Sequence, residues 1–165
     1  MALGLALREL QNIHPCTYVQ GVLWYGVKSG SIRKLRNVIR QSVVLPASAE
    51  ALFDMYLDPV VHAAITGNPV RIGRETGAEF LAFNGALSGT ILATVRPRLI
   101  VQSWRSTSFK GDDPDSTLIL SFSTEGVGGR IDLVHLDVPD HDYEGVTKGW
   151  EKYYWTPWQN YLESH

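Results

Sequence analysis

Trp150, Tyr154, Trp158 and Tyr161 recur at intervals of four, four and three residues, the spacing that gathers side chains on one face of an α-helix. Tyr153, Pro157 and Leu162 widen this stripe. Pro157 predicts a kink, because it offers no N–H and its ring presses on the carbonyl four residues back. So aromatic a face must be laid against another element, and the preceding sequence supplies one. Residues 38–45 alternate in period two and stop at Pro46. Val70 to Arg74, Ala78 to Phe83, Leu87 to Val95, Leu99 to Thr107, Thr117 to Thr124 and Arg130 to Val138 read as further strands. Turns are signalled at Thr76-Gly77, Asn84-Gly85, Arg96-Pro97-Arg98 and Glu125 to Gly129. Two short helices fit between the first two strands. Ser48 is placed to cap the first, which Asp58-Pro59 breaks, and the second runs from Val60 to about Ala64. Asp142, or the stretch 140–142, is the expected cap of the last helix. An antiparallel sheet of six or seven strands cannot bury its apolar face alone, and the aromatic helix is the only element large enough to cover it. The expected fold is therefore α+β, a curved antiparallel sheet wrapped around a long C-terminal helix.

Composition narrows the function classes. Apolar residues make up 44% of the 165 and charged residues 19%, as in a globular domain. A net charge of −2 gives no reason to expect nucleic acid as a partner. Residues 28–40 carry five bases and no acid, whereas residues 110–165 carry eleven acids against four bases. That asymmetry reads first as solvated surface and second as a face that orients a partner. A single cysteine, Cys16, gives neither an intrachain disulfide nor a thiol metal cluster. The start, MALGLALREL, lacks the basic region of a signal peptide, and no stretch reaches the ~20 apolar residues of a membrane span. A cytoplasmic location is expected. Residues 1–34 read as an N-terminal extension and 35–165 as the domain. A flexible tail and an upstream mis-set start both stay open for the extension, the next methionine being Met55.

The candidate wall of an apolar cavity is Phe53, Tyr56, Phe80, Trp104, Phe122, Trp150 and Tyr154, with His62 near the expected mouth. A closed, well-packed centre would carry the same residues. Tyr153 and Tyr154 could orient the polar end of a ligand. His14, His62, His135, His141 and His165 show no metal-ligand spacing, so no metal and no cofactor are expected. His135 reads as a structural histidine inside the last strand. Arg105 is expected to pair with an acid across the sheet, and Arg96 and Arg98 form a basic loop tip. The EGVGG run at 125–129 joins two strands and reads as a turn, since a phosphate cradle leads into a helix. Aspartates 112, 113 and 115 read as a solvated loop rather than a calcium site. No nucleophile elbow or dinucleotide motif appears, and no catalytic residue is assigned.

Several phrases in this order resemble one family: LPASAEALFDMYLDP after the opening strand, Gly77 before a phenylalanine-containing strand, LSGTILATVRPRLIVQSWR, VHLDVP, and GWEKYYWTPWQNYL. Together, across about residues 38–162, they resemble the family related to the C-terminal domain of the activator of the ninety-kilodalton heat-shock protein ATPase (AHSA1-like). That family lies within the START-like, Bet v 1-like (SRPBCC) superfamily of helix-grip folds. The resemblance implies a curved sheet gripping a C-terminal helix, often with an elongated cavity between them. It does not imply one activity, since the superfamily includes lipid and hormone binders, polyketide cyclases and co-chaperones. The eukaryotic co-chaperone carries a further large N-terminal domain, and only about thirty-five residues precede the matched region here.

Three functions are therefore weighed. The leading one is binding of a hydrophobic or lipid-like small molecule between sheet and helix. The second is a chaperone-associated or other protein-binding module, and a homodimer is compatible with either. The third is a cavity enzyme such as a cyclase or hydrolase, which would need His62 paired with a carboxylate.

Overall fold

The computed structural model describes residues 37–165. The expectations for residues 1–34, including Cys16 and most of the basic segment, lie outside the described residues. The first strand, β1 (Ile39–Leu45), turns Ile39, Gln41, Val43 and Leu45 inward and leaves Arg40, Ser42 and Val44 exposed. Ser48 caps α1 (Ala49–Leu57), its hydroxyl accepting from the Ala51 N–H at 3.1 Å. Asp58 then caps α2 (Pro59–Thr66), accepting from the N–H groups of Val60 and Val61, with Pro59 in the first turn. Gly67, in the left-handed conformation at φ 67°, ends that helix.

The meander that follows comprises β2 (Val70–Arg71), β3 (Glu79–Ala82), β4 (Leu87–Val95), β5 (Leu99–Ser106), β6 (Ser116–Glu125) and β7 (Gly128–Leu136). With β1 returning to pair β7, they form one antiparallel sheet in the order β1-β7-β6-β5-β4-β3-β2. The strand expected to reach Arg74 stops at Arg71. Beyond it the chain leaves the sheet edge, and the Arg74 side chain turns to Asp54 on α1. The Asn84-Gly85 signal does mark a turn, but a wider one than a two-residue hairpin. Phe83, Asn84 and Gly85 all have positive φ, and pairing resumes only at Ala82 opposite Leu87.

The C-terminal helix has three parts: α3 (Tyr143–Trp150), a π turn over Glu151–Trp155, and α4 (Thr156–Glu163). The disturbance expected of Pro157 takes the form of this π turn. Pro157 cannot donate to the carbonyl of Tyr153, and the helix widens one turn earlier. Asp142 holds the N-cap position, yet its side chain makes no capping bond. Its φ of −113° and ψ of 0° depart from the extended cap conformation, and its Oδ1 lies where it would stand 2.9 Å from a Cβ on Gly145.

The sheet's concave face supplies Ile91, Ile100, Leu118, Leu120, Phe122, Ile131 and Leu133 to the core, and α1 adds Leu52 and Phe53. Trp150, Tyr154, Trp155 and Trp158 cover them from the helix side. Gly129 permits a close approach of the start of α1 to the sheet. A Cβ there would meet the Ala47 carbonyl and Leu52 Cδ1, each at 2.7 Å.

Candidate functional site

A partly open cleft of about 560 Å³ lies between the sheet and the first half of the C-terminal helix. One wall is the turn before β4 and its first residue, with Phe83, Ala86 and Leu87. A second is the end of β5, with Trp104 and Ser106 running into Thr107 and Ser108. The helix provides Val146, Trp150, Tyr153 and Tyr154. The space between them depends on Gly145 and Gly149, one turn apart on α3, which put no side chain on the face that borders the cleft. Asn68 and Asp142 complete the lining, which contains no Lys, Arg or His. Phe83 adopts φ 52°, a left-handed conformation unfavourable for a bulky residue. Its ring packs edge-on against Tyr153 and Tyr154, at centroid distances of 5.8 and 5.9 Å.

Beneath this wall lies a hydrogen-bonded chain of one polarity. The Ser116 hydroxyl donates to the Trp104 carbonyl at 2.7 Å. It therefore accepts from His135 Nε2–H, 2.8 Å away. His135 Nδ1, left bare, accepts from the Trp150 indole N–H at 3.3 Å. The tautomer follows from the partners, and burial holds the imidazole neutral with its pKa lowered to about 3. His135 is thus the structural histidine its strand position suggested, and it braces two of the cleft's aromatic residues.

A second buried polar group lies deeper. His62 Nδ1 is 2.7 Å from the Tyr56 carbonyl, to which it donates, and the Tyr56 hydroxyl donates to Gln102 Oε1 at 3.1 Å. Burial lowers the His62 pKa to about 4. Among the described residues no carboxylate hydrogen-bonds to His62, and its ring neighbours are Tyr56, Phe80 and Tyr154. Five buried side-chain atoms in the described residues lack a hydrogen-bond partner: His62 Nε2, Gln102 Nε2, Trp104 Nε1, Tyr154 Oη and Trp158 Nε1.

Of the residues singled out in the sequence, Trp104, Trp150 and Tyr154 meet on the cleft wall. Phe53, Tyr56, His62, Phe80 and Phe122 are buried behind it. Phe83 and the two helical glycines were not among the candidates. The positive φ of Phe83 belongs to the turn and leaves no trace in hydropathy periodicity. Trp155 also went unassigned, because α-helical spacing puts it off the Trp150 stripe. The π turn brings it back, so that its ring stacks on Trp150 at 5.5 Å and its N–H donates to Gln41 Oε1 at 2.7 Å.

At the surface, Arg96 of the basic tip is not free. Arg96 binds Glu50 and Asp54 on α1, at 2.6 and 2.8 Å, and Arg74 joins it on Asp54. Hydrogen bonds from Arg96 and then Arg74 hold the Asp54 pKa down at about 2. Arg105 pairs with Asp115 at 3.0 Å, as an ion pair was expected there, and also ties down the carbonyls of Lys110 and Asp113. No group of His, Cys, Asp and Glu among the described residues could hold a metal ion, and no helix there is long and apolar enough to cross a membrane.

An open antiparallel sheet closed by a C-terminal helix, with a cleft between them, defines an α+β helix-grip domain. The chain belongs to the family of Activator of Hsp90 ATPase homolog 1-like proteins, whose family model matches residues 46–163. Among solved structures, an HSP90 activator from Plasmodium falciparum superposes with a TM-score of 0.69 at 19% identity, covering 76% of this chain and 96% of that one. CalU16 from Micromonospora echinospora is 28% identical with a TM-score of 0.56, covering 70% of this chain and 68% of its own. The Aha1 dimer from Colwellia psychrerythraea gives a TM-score of 0.65 at 11% identity, over 78% of this chain and 97% of that one. No curated protein matches the sequence at a significant level.

Proposed function

We propose that this domain binds a neutral, largely apolar small molecule in the cleft between β4, β5 and the C-terminal helix. The observation that carries this reading is the cleft itself, about 560 Å³ with walls of Phe83, Trp104, Trp150, Tyr153 and Tyr154. That size and lining suit a compact organic ligand. A lining without a basic side chain gives an anionic ligand no counter-charge, and Asp142 at the rim opposes one. The strained Phe83 fits the same reading, since local strain at a wall residue is a common mark of a binding site.

The test uses the full chain and N-phenyl-1-naphthylamine, a neutral probe that fluoresces in apolar surroundings. Saturable binding of one probe per chain is expected. Gly149→Leu puts a side chain into the cleft and removes a helix-interior glycine, so it should weaken the probe at least about ten-fold while leaving the melting temperature unchanged or higher. Non-saturable uptake, or equal affinity in Gly149→Leu, overturns the reading.

The family match favours a second reading, contact with a chaperone of the Hsp90 class. Purified Hsp90 titrated with this chain, with ATP hydrolysis as the readout, tests it; an unchanged rate and no complex on a sizing column dismiss it.

A further inference from the structure

The orphaned polar atoms behind the cleft wall are more than packing leftovers, because each buried unpaired group costs stability that an apolar side chain of the same shape would not. Three of them belong to one cluster of residues linked by ring contacts and a hydrogen bond. The His62 ring lies 4.8 Å from the Tyr56 ring and 5.6 Å from that of Tyr154, and Tyr56 is bonded through its hydroxyl to Gln102. The donor and acceptor inventory follows from bonds already made. His62 spends its Nδ1–H on the Tyr56 carbonyl, so its free Nε2 is an acceptor. Gln102 spends Oε1 on Tyr56, so its free amide nitrogen is a donor. The unpartnered Tyr154 hydroxyl serves either way. Tyr154 also lines the cleft, and so belongs to both places at once.

We infer that His62, Gln102 and Tyr154 form an inner subsite behind the cleft, which receives the hydrogen-bonding head of a ligand whose apolar body occupies the cleft, and that this head is a neutral group able both to donate and to accept, such as a hydroxyl or an amide. The inference rests on the cleft-binding reading and sharpens it. A hydroxyl or an amide can donate to His62 Nε2 and can accept from the Gln102 amide, so either role finds a partner among these groups. A carboxylate meets the bare lone pair of His62 with no cation to offset its burial. A hydrocarbon leaves all three groups unpaired.

The experiment compares naphthalene, 2-naphthol and 2-naphthoate on the full chain by quenching of tryptophan fluorescence, with N-phenyl-1-naphthylamine as the control for the cleft. The expected order is 2-naphthol tightest, by about ten-fold over naphthalene, as one or two buried hydrogen bonds provide. The preference should vanish in His62→Phe and fall in Tyr154→Phe, which deletes only an unpartnered hydroxyl and should fold as the parent does. The ¹⁵N resonance of His62 Nε2 should shift on adding 2-naphthol and stay in place on adding naphthalene. Equal binding of the two, a preference that survives both variants, or tighter binding of 2-naphthoate overturns the inner subsite while the cleft reading stands on its control probe. Failure of the control probe together with all three naphthalenes removes both.

Discussion

Acidification should destabilise this domain through His62 and His135, well above the range in which carboxylates protonate. Their folded pKa values are lowered to about 4 and about 3 by burial, against 6.5 for a free imidazole. Between those limits the unfolded chain binds protons that the folded chain refuses, so stability is complete above about pH 6.5 and is lost as pH falls toward the folded values. At pH 5 both histidines are still neutral in the folded protein. The loss between pH 7.5 and pH 5 is then set by the unfolded pKa alone, and is about 2 kcal/mol for each histidine. Charging His135 would also reverse its acceptor, Nδ1, and break the bond from Trp150. Urea unfolding followed by tryptophan fluorescence at the two pH values measures the total, expected at about 4 kcal/mol. His135→Gln keeps one donor and one acceptor but cannot titrate, and should remove about half of the difference. A pH dependence as steep in His135→Gln as in the parent would refute the assignment of a neutral, hydrogen-bonded His135.

Gly129→Ala drives a methyl group into the Ala47 carbonyl and Leu52 and should cost about 1–3 kcal/mol, read as a lower urea midpoint with unchanged slope. Gln41→Leu strands the Trp155 N–H and the Thr147 carbonyl that the Gln41 amide joins, and should cost about 1–3 kcal/mol together with a change in near-ultraviolet circular dichroism from the stacked tryptophans. Asp58→Ala removes the acceptor for two N–H groups at the start of α2 and should cost about 0.5–2 kcal/mol, read as a lower thermal midpoint.

The architecture was legible because its signals are local. The alternation of Ile39 to Leu45, the cap at Ser48, the break at Asp58-Pro59 and the turn within Glu125 to Gly129 each depend on neighbours within a few residues. The family resemblance, read from the order of such phrases, agrees with the matched span 46–163. What escaped depends on distance. Arg74 leaves the sheet for a carboxylate twenty residues away, and Arg96 folds onto the same carboxylate from forty-two. The site was legible only in part for the same reason. Trp104, Trp150 and Tyr154 read as apolar positions like Phe53 or Phe122, and only the helix glycines and the turn at Phe83 decide which aromatics border space and which border each other.

The π turn also fixes how tolerant the helix is to changes in length. One extra residue in the turn delays every later side chain by about 100° of rotation relative to an unbroken α-helix. Trp150 and Tyr154 are aligned upstream with the cleft, while Trp158 is aligned downstream with the core around Tyr56. Deleting Lys152 would let the backbone close into continuous α-helix at no loss of hydrogen bonding and keep Trp158 in the interior, whereas inserting one residue after Trp155 would swing Trp158 away from it. The turn therefore acts as a phase adjuster, letting two halves of one helix answer to two different surfaces, and a variant with one alanine inserted after Trp155 should keep its helical content while losing its cooperative melt.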